Sequence, residues 1–287
     1  MKNILLALVF LSMPGLAHAE RFLVKNPKGP ILGKTMQTMH FGDNTYVVVE
    51  APKYANLLTG FAVGAERVTE DYRIRIPSDE ANNADRSAEK AWHVDALKYE
   101  QLPQIRDGRD VVVAVLDTGV DYKHPALKDH IWTNPKGCEP AQNPAGDCHG
   151  FDFDKKVPDP MDGDQHGTHC AGIIGASPDP ASNAQGVAPG VKIMAVRIIG
   201  DEQTGFLSNA AAGIKYAVDN GATVLSNSWR VYKSWNTFDP SDVNLALLRD
   251  AIKYAGDHGA IFVAAAGNES RSEEHTSELQ SRLHLVC

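Results

Sequence analysis

Four apolar runs mark the sequence after about residue 100. They are rich in Val, Ile, Leu and Ala, and they occupy residues 111–116, 191–196, 223–225 and 260–266. Runs of this kind, in which apolar residues follow one another instead of alternating with polar ones, are typical of parallel strands buried on both faces. We therefore predict four central strands of a parallel sheet.

Three segments between or beside these runs have the apolar spacing of helices. They cover residues 169–176, 208–220 and 242–258. Because strands alternate with helices, the pattern predicts an α/β fold in which helices cover both faces of a parallel sheet. We place this larger domain at residues 91–270.

The N-terminal part of the chain has a different pattern. Three short segments predict strands, namely 22–24, 46–50 and the alternating run 72–76. A short helix is expected over 53–58, so residues 20–77 are interpreted as a small α+β domain. Residues 78–90 contain almost no large apolar side chain, and we expect an exposed linker there that proteases can reach.

The first nineteen residues have the layout of a secretory signal peptide. Lys2 precedes an apolar run over 4–11, and the segment ends in the small-x-small sequence Ala17-His18-Ala19. The alternative, a buried N-terminal helix, is interrupted by Pro14-Gly15. No later run approaches the ~18–20 apolar residues that a membrane-spanning helix needs. We expect residues 1–19 to be removed and the processed chain to lie outside the cytoplasm, in the periplasm or the medium.

Charge and composition narrow the function further. The 287 residues include 28 Lys and Arg against 36 Asp and Glu, which gives a net charge of −8 and a pI near 5.7. This sign disfavours binding to nucleic acid through phosphate contacts. The 43% hydrophobic and 22% charged residues are ordinary for a globular protein. We expect a monomer with no nucleic-acid partner and, once the signal is removed, no membrane association.

The cysteines occupy distinct sequence contexts. Cys138 and Cys148 lie ten positions apart in a turn-rich stretch, and since export permits disulfides we expect them to pair. The alternative, a metal site that includes Asp147 and His149, lacks the C-x-x-C spacing of well-defined zinc sites. Cys170 lies in an apolar segment, where a buried free thiol behaves as a small hydrophobe.

The composition changes abruptly at the end of the chain. Residues 271–281 read RSEEHTSELQS, which resembles the in-frame translation of a common sequencing adapter. A genuine polar helix is the alternative, since two glutamates and a leucine in this run have helical spacing. We expect residues 271–287, with Cys287, to be a non-native tail outside the fold.

Two polar residues suggest a catalytic pair. Ligand sites of open parallel sheets lie beyond the carboxyl ends of the strands, and Asp117 leaves the first strand in LDTGVDYKHP. His166 opens the segment HGTHCAGIIG. A histidine that acts as general base needs a carboxylate to fix its tautomer, and Asp117 is the candidate. The alternative for Asp117 is a turn or helix-capping residue.

Two further polar residues, His169 and Asn268, lie at or just beyond the ends of predicted elements. His169 lies three positions after His166, but the glutamate of an HExxH metal site is missing, so we expect His169 to pack into the domain. Asn268 follows the last strand in AAAGNES, where its side-chain amide can donate to a developing oxyanion. The alternative for Asn268 is an ordinary turn residue after glycine.

Taken in order, LDTGVDYKHP, GDQHGTHCAGIIG and AAAGNES resemble the motifs of the subtilisin-like serine endopeptidases, the subtilases. The resemblance covers about residues 92–270 and implies a subtilisin-like catalytic domain. It implies that the preceding region is a ferredoxin-like propeptide, which acts as an intramolecular inhibitor and chaperone. It also implies that Asp117 is the triad aspartate, His166 the general base and Asn268 the oxyanion-hole amide.

The resemblance also implies substrate-binding positions. Residues 204–208, TGFLS, resemble the edge segment whose backbone pairs with an extended peptide. There Gly205 is expected to offer backbone hydrogen bonds and Leu207 an apolar wall. Ser228 corresponds to the strand that lines the primary specificity pocket. Arg230 stands where the family usually has glycine, which predicts a narrowed or charged pocket.

The resemblance implies no cofactor for the chemistry, and we assign no metal site. Ala126 stands where relatives often carry a calcium-binding aspartate. We expect the acidic loop to be a solvated turn, and a structural calcium ion bound there is the alternative. The carboxylates concerned are Asp152, Asp159, Asp162 and Asp164.

The nucleophile of the family lies in a Gly-Thr-Ser-Met-Ala motif well downstream of the oxyanion asparagine. This sequence contains no such motif, and we nominate none of Ser226, Ser228, Ser270 and Ser272 in its place. We therefore expect a secreted serine endopeptidase whose catalytic domain is cut short before its serine, and which is inactive as written. The alternative is a pseudoprotease that binds polypeptides without cutting them.

Overall fold

A computed structural model describes eight stretches of the chain: residues 19–31, 33–52, 67–76, 92–98, 108–139, 141–178, 184–231 and 242–268. The chain divides into two compact units. The first comprises residues 1–71 and 238–247, and the second comprises residues 72–237 and 248–287. The signal peptide up to residue 18, the helix expected over 53–58, the linker 78–90 and the tail 271–287 lie outside the described residues.

The described residues form twelve strands. They are β1 (Ala19–Lys25), β2 (Lys34–Phe41), β3 (Asn44–Pro52), β4 (Arg67–Glu70), β5 (Arg73–Arg75), β6 (Val112–Asp117), β7 (Gly150–Asp152), β8 (Lys192–Arg197), β9 (Thr204–Phe206), β10 (Val224–Asn227), β11 (Arg230–Val231) and β12 (Ile261–Ala264). The helices are α1 (Trp92–Ala96), α2 (His166–Gly175), α3 (Leu207–Asp219) and α4 (Val243–Asp257). A short 3₁₀ helix covers Lys128–His130.

The first unit contains a four-stranded sheet in the order β2-β3-β1-β4. Strand β1 pairs antiparallel with both β3 and β4, and β2 pairs antiparallel with β3. One face is apolar because alternate residues of β1 and β3 point to it. Its buried members are Phe22, Val24, Val47, Val49 and Ala51.

The second unit is built on a five-stranded sheet in the order β12-β10-β6-β8-β7. Its adjacent strands are all parallel. The strands predicted from the apolar runs are therefore present as β6, β8, β10 and β12, within one to three residues of the expected bounds. The predicted α/β fold with a parallel sheet is confirmed.

The two faces of this sheet carry different helices. On one face, Val113 and Val115 of β6 pack in a buried cluster with Ala171 of α2. On the other face, Leu116 of β6 and Val196 of β8 lie against α3. Gly213 of α3 is so close to the sheet that an added Cβ would be 2.9 Å from Val196 and 3.5 Å from Leu116. Since side chains alternate along a strand, the β6 sequence VVAVLD supplies apolar groups to both helices.

A separate three-stranded sheet has the order β11-β5-β9, and all its strands belong to the second unit. The alternating run 72–76 was expected to be a strand of the small N-terminal domain. Its strand exists as β5, but it pairs antiparallel with β9 and with β11 instead of with the N-terminal sheet. Alternation along a segment predicts a half-buried strand and contains no information about its partner.

The loop between β6 and β7 contains the predicted disulfide. Cys138 and Cys148 are joined in the structure, with Cα atoms 4.6 Å apart. The buried Asp147 carboxylate in the same loop accepts hydrogen bonds from Asn143 Nδ2 at 2.7 Å and from the Tyr216 hydroxyl of α3 at 2.6 Å. Burial raises the pKa of Tyr216 well above its ordinary value, and the bond to Asp147 adds to that effect, so the hydroxyl remains a donor.

Within the described ranges, no helix combines the length and apolar character that crossing a bilayer requires.

The disulfide should contribute measurably to stability. In the loop-entropy picture, closing a loop of this length stabilises by roughly 2–3 kcal/mol. We expect non-reducing peptide mapping of exported protein to recover Cys138 linked to Cys148. We also expect the double replacement Cys138→Ser, Cys148→Ser to lower the free energy of unfolding by about this amount in urea. Reduced wild-type protein is the control, and two free thiols in exported material would contradict the pairing.

Candidate active site

Asp117 is the last residue of the central strand β6, at the carboxyl end of the parallel sheet. It is 1% exposed. The chain turns sharply behind it because Gly119 has φ +105° and lies against the backbone of 160–162, where a Cβ would be 2.6 Å from the Pro160 oxygen. A carboxylate is thus held in a buried position at the edge where such sheets bind ligands.

His166 is the first residue of α2, and its side chain is 28% exposed. Its Nδ1 lies 2.7 Å from Oδ1 of Asp117. The same carboxylate oxygen accepts a hydrogen bond from the Thr118 amide, also at 2.7 Å. With Nδ1 held by Asp117, Nε2 is the ring nitrogen that faces away from the carboxylate. The structure therefore brings the two predicted residues together as a hydrogen-bonded pair.

Two threonines lock the segment after β6 to the start of α2. Oγ1 of Thr118 accepts a hydrogen bond from the Gly167 amide at 2.9 Å, and Oγ1 of Thr168 accepts one from the Asp121 amide at 2.9 Å. Gly167 packs so tightly that an added Cβ would collide with the Gly119 carbonyl oxygen. The threonine and glycine of each motif therefore fix the distance between Asp117 and the helix that carries the histidine.

Asp162 holds the other side of the same helix start. Its Oδ2 accepts hydrogen bonds from the amide of Thr168 at 2.9 Å and from its hydroxyl at 2.5 Å. Its Oδ1 accepts from the amides of Asp164 and Gln165. Burial works against ionisation, but these hydrogen bonds outweigh it and hold the pKa of Asp162 below its ordinary value. An ionised carboxylate here also suits the positive end of the α2 dipole.

This arrangement corrects the interpretation of the acidic loop as a solvated turn. Asp152 is buried and pairs with the buried Arg197, whose guanidinium also donates to the Met161 carbonyl. Asp162 is engaged with the start of α2. Within the described part of the chain, the four acidic residues of the loop do not form a group whose ligand atoms lie within 4.8 Å of one another.

The protonation equilibrium of His166 is shifted by its neighbours. Its hydrogen bond to Asp117 raises the pKa of His166 above the ordinary value of 6.5, and the nearby Cys170 raises it further, against the effect of burial. Sγ of Cys170 lies 4.0 Å from Nδ1 of His166 and 3.7 Å from Oγ of Ser228. Cys170 is a free thiol that packs against the apolar cluster, as predicted for a small hydrophobe, although it is half-buried and not fully buried.

Asp117, His166 and Cys170 also form a potential ligand group for a soft metal ion. Their ligand atoms lie within 4.8 Å of one another, and this is the one such group among the residues that the structure describes. Two of the three are the hydrogen-bonded pair itself, so a metal bound there would occupy the nitrogen that Asp117 holds. Acid–base chemistry at His166 therefore requires this site to be free of metal.

The remaining predicted site residues lie in or just after strands and at the start of a helix. Ser228 follows β10, the neighbour of β6, and reaches Cys170 as described. Asn268 is exposed and lies four residues beyond β12, on the carboxyl side of the parallel sheet. Gly205 is the middle residue of β9, and a Cβ there would collide with the Ile198 carbonyl oxygen. Leu207 begins α3 and is fully buried.

His169 does not pack into the domain as predicted. It lies one turn along α2 from His166 and is exposed. A residue three positions after another on a helix can lie on the buried face or at its exposed edge. In α2 the buried apolar face contains Ala171, and His169 lies outside it.

Comparison with known proteins identifies the family to which these motifs correspond. The model of the subtilase family of serine peptidases matches residues 108–283. The match contains β6, α2 and β12, and it extends into the segment interpreted above as a tail.

Individual relatives agree with this result. A thermophilic serine proteinase from Bacillus sp. (strain AK1) is 37% identical over 160 residues, which cover 56% of this chain and 33% of that protein. Fervidolysin from Fervidobacterium pennivorans is 33% identical over 217 residues, which cover 71% of this chain and 28% of that protein. The chain thus spans about a third of the length of these curated relatives.

A solved structure supports the fold. The epidermin leader peptide processing serine protease from Staphylococcus aureus aligns with a TM-score of 0.61 at 20% identity, over 94% of this chain and 66% of that one.

Replacing Asp117 by asparagine should lower the pKa of His166 towards 6.5, because the largest cause of its upward shift is removed. NMR titration of the His166 ring measures this directly. Asp257→Asn, which removes an exposed carboxylate from α4, is the matched control. A His166 titration unchanged by Asp117→Asn would contradict the pairing.

The same pair predicts a pH dependence of stability. A histidine whose pKa is raised on folding stabilises the folded chain fully below its unfolded pKa of about 6.5, and this stabilisation is lost as the pH rises through the folded pKa. The free energy of unfolding of the wild type should therefore decline towards alkaline pH relative to that of Asp117→Asn.

Proposed function

Because the chain belongs to the subtilase family, we propose that it acts in a secreted serine endopeptidase that hydrolyses peptide bonds of protein substrates. The observation that carries this proposal is the 2.7 Å hydrogen bond between His166 Nδ1 and Asp117 Oδ1. A buried carboxylate in that position fixes the imidazole tautomer and stabilises the imidazolium that forms during catalysis. Nε2 is then free to take the proton of an attacking hydroxyl.

The four roles of the mechanism follow from this geometry and from the family motifs. A serine hydroxyl attacks the peptide carbonyl, and His166 takes its proton and later returns it to the leaving amine. Asp117 orients His166 throughout. Asn268 donates its side-chain amide to the oxyanion of the tetrahedral intermediate. Subtilases need no cofactor for this chemistry, and the reaction as we propose it requires none.

The nucleophile is the one role that these 287 residues do not supply. The sequence contains no Gly-Thr-Ser-Met-Ala motif, and the side chain of Ser228 contacts that of Cys170, at 3.7 Å between Oγ and Sγ. We propose that the chain as written hydrolyses no peptide bond. We further propose that activity requires a serine motif following Asn268.

The placement of β5 supports a zymogen organisation. Residues 72–76 precede the catalytic motifs in the chain, yet β5 is the middle strand between β9 and β11. Gly205 and Arg230, both expected near the substrate, pair with Ile74 and Arg75 respectively. An extended peptide binds a protease by adding a strand in this way. We propose that residues 20–77 form a propeptide whose C-terminal strand occupies the substrate position.

A non-catalytic peptide-binding protein is the alternative, because β5 occupies its position through backbone pairing that needs no catalysis. The hydrogen-bonded pair distinguishes the two functions. A binding protein gains nothing from a buried carboxylate that fixes the tautomer of a half-exposed histidine, whereas a general base requires one.

In an enzyme whose sequence continues after Asn268 through the serine motif, replacement of His166 by alanine should lower kcat by several orders of magnitude. Asn268→Ala should lower kcat by roughly 10²–10³-fold, because one preorganised donor is lost. The effect on KM should be much smaller, since the backbone pairing of the substrate near Gly205 is unchanged. Steady-state hydrolysis of a peptide amide measures both constants.

His169→Ala is the matched control, because His169 is exposed on the same helix and contributes no proposed role. Its kcat should equal that of the wild type. Undiminished turnover in His166→Ala would remove the catalytic assignment. Full activity in the 287-residue chain would show that a serine already present acts as nucleophile.

Processing should follow the proposed organisation. The extended enzyme should release residues 1–19 on export and then cut itself between Ile76 and Lys90, since this polar segment follows the strand that occupies the substrate position. N-terminal sequencing of the mature form is the measurement. The His166→Ala variant should accumulate as the uncut precursor, and a mature terminus upstream of Tyr72 would contradict the proposal.

A further inference from the structure

The backbone of residues 72–76 is held from both sides. On one side Ile74 pairs with Gly205 and Arg73 with Phe206 of β9, and on the other side Ile74 pairs with Val231 of β11. The Leu207 amide extends the first ladder by donating to the Tyr72 carbonyl at 2.8 Å. Backbone pairing of this kind accepts any residue except proline, so it selects no sequence by itself.

Side chains of the strand alternate between two environments. Ile74 is fully buried and Ile76 is 8% exposed, so the even positions supply apolar groups to the protein. Arg73 is exposed, and its guanidinium carbon lies over the Phe206 ring at 4.0 Å from the ring centroid. Arg73 and Phe206 are directly opposite in the antiparallel register, a position in which cross-strand side chains interact.

The contact between Arg73 and Phe206 has the geometry of a cation–π interaction. A planar guanidinium stacks on an aromatic face and keeps its N–H groups in water, so little desolvation opposes the contact at an exposed position. Leucine or alanine in place of the phenylalanine would still permit the backbone pairing but would offer no ring face. Discrimination at this position therefore depends on the ring of Phe206.

We propose that Phe206 is a specificity-determining residue, which selects substrates that carry arginine or lysine immediately before the aliphatic residue occupying the site of Ile74. This inference rests on the proposed function, in which an extended substrate takes the place of β5. The substrate class is an extended basic–aliphatic peptide segment. The basic residue lies on the solvent-exposed side of the strand.

The size of the effect follows from its exposure. Exposed cation–π contacts change a binding equilibrium by about two- to fivefold. Phe206 should therefore favour substrates with a basic residue at the position of Arg73 by about two- to fivefold. Substrates with a neutral residue at that position should still bind.

The first test uses the 287-residue chain and needs no activity. The Leu207 amide exchanges with solvent only when its bond to Tyr72 opens, so its hydrogen-exchange rate measures release of the strand. Arg73→Ala and Phe206→Leu should each raise that rate about two- to fivefold, and the double variant should raise it no further than either single one. Arg73→Lys should retain most of the protection.

A matched control is Lys123→Ala, which removes a different cation from over a ring, that of Tyr122. It should leave the Leu207 exchange rate unchanged. Additive effects in the double variant would overturn the inference, because they would show that Arg73 and Phe206 do not act on each other.

The second test uses the enzyme extended through its serine motif and two peptides that differ only at the position of Arg73, arginine in one and methionine in the other. The ratio of their kcat/KM values should be about two- to fivefold in favour of arginine, and it should fall to about one in Phe206→Leu. A ratio of one in the wild type would overturn the inference and leave the proposed function intact. Hydrolysis of neither peptide would contradict the proposed function, and the exchange experiment would still decide whether Phe206 recognises the cation.

Discussion

The hydrogen bond between Asp117 and His166 is the interaction on which the rest of the site depends. It joins the carboxyl end of the central strand β6 to the first residue of α2, two elements 49 positions apart in the chain. A bond of 2.7 Å between a buried carboxylate and a half-exposed ring survives only if neither element can shift by a few tenths of an ångström. Thr118 and Thr168 supply this restraint from one side, and Asp162 supplies it from the other. The geometry of the Asp117–His166 pair is thus fixed mainly by neighbouring residues that have no part in the proposed proton transfer.

The sequence predicted the parts of the molecule that local physics determines. A strand buried on both faces has to be continuously apolar, so VVAVLD could be assigned to the sheet centre from its composition alone. Asp117 and His166 could be paired because a general base needs a carboxylate and because both residues follow or begin an element at one sheet edge. In each case one local requirement, burial on both faces for the strand and a carboxylate partner for the general base, limits which residue types can stand there.

The parts that the sequence did not predict depend on contacts between distant segments. The run 72–76 alternates as any half-buried strand does, and nothing in it indicates pairing with segments more than 120 residues later. Asp162 reads as one of several solvated acids because the amides that bind it become available only when α2 begins at His166. His169 was misjudged for a related reason, since the boundary of an apolar helix face depends on what packs against it.

Strand β5 is held by two kinds of contact, and the zymogen organisation that we propose needs both. Backbone pairing with β9 and β11 provides strength but would hold any sequence equally well. Because the strand is part of the same chain, its effective concentration is high, and small side-chain contributions suffice to keep it in place. Cleavage of the chain after the strand removes that advantage. In the organisation that we propose, a contact that changes binding by a factor of a few, such as that of Arg73 with Phe206, is then weak enough for the strand to leave and strong enough to rank the peptides that would replace it.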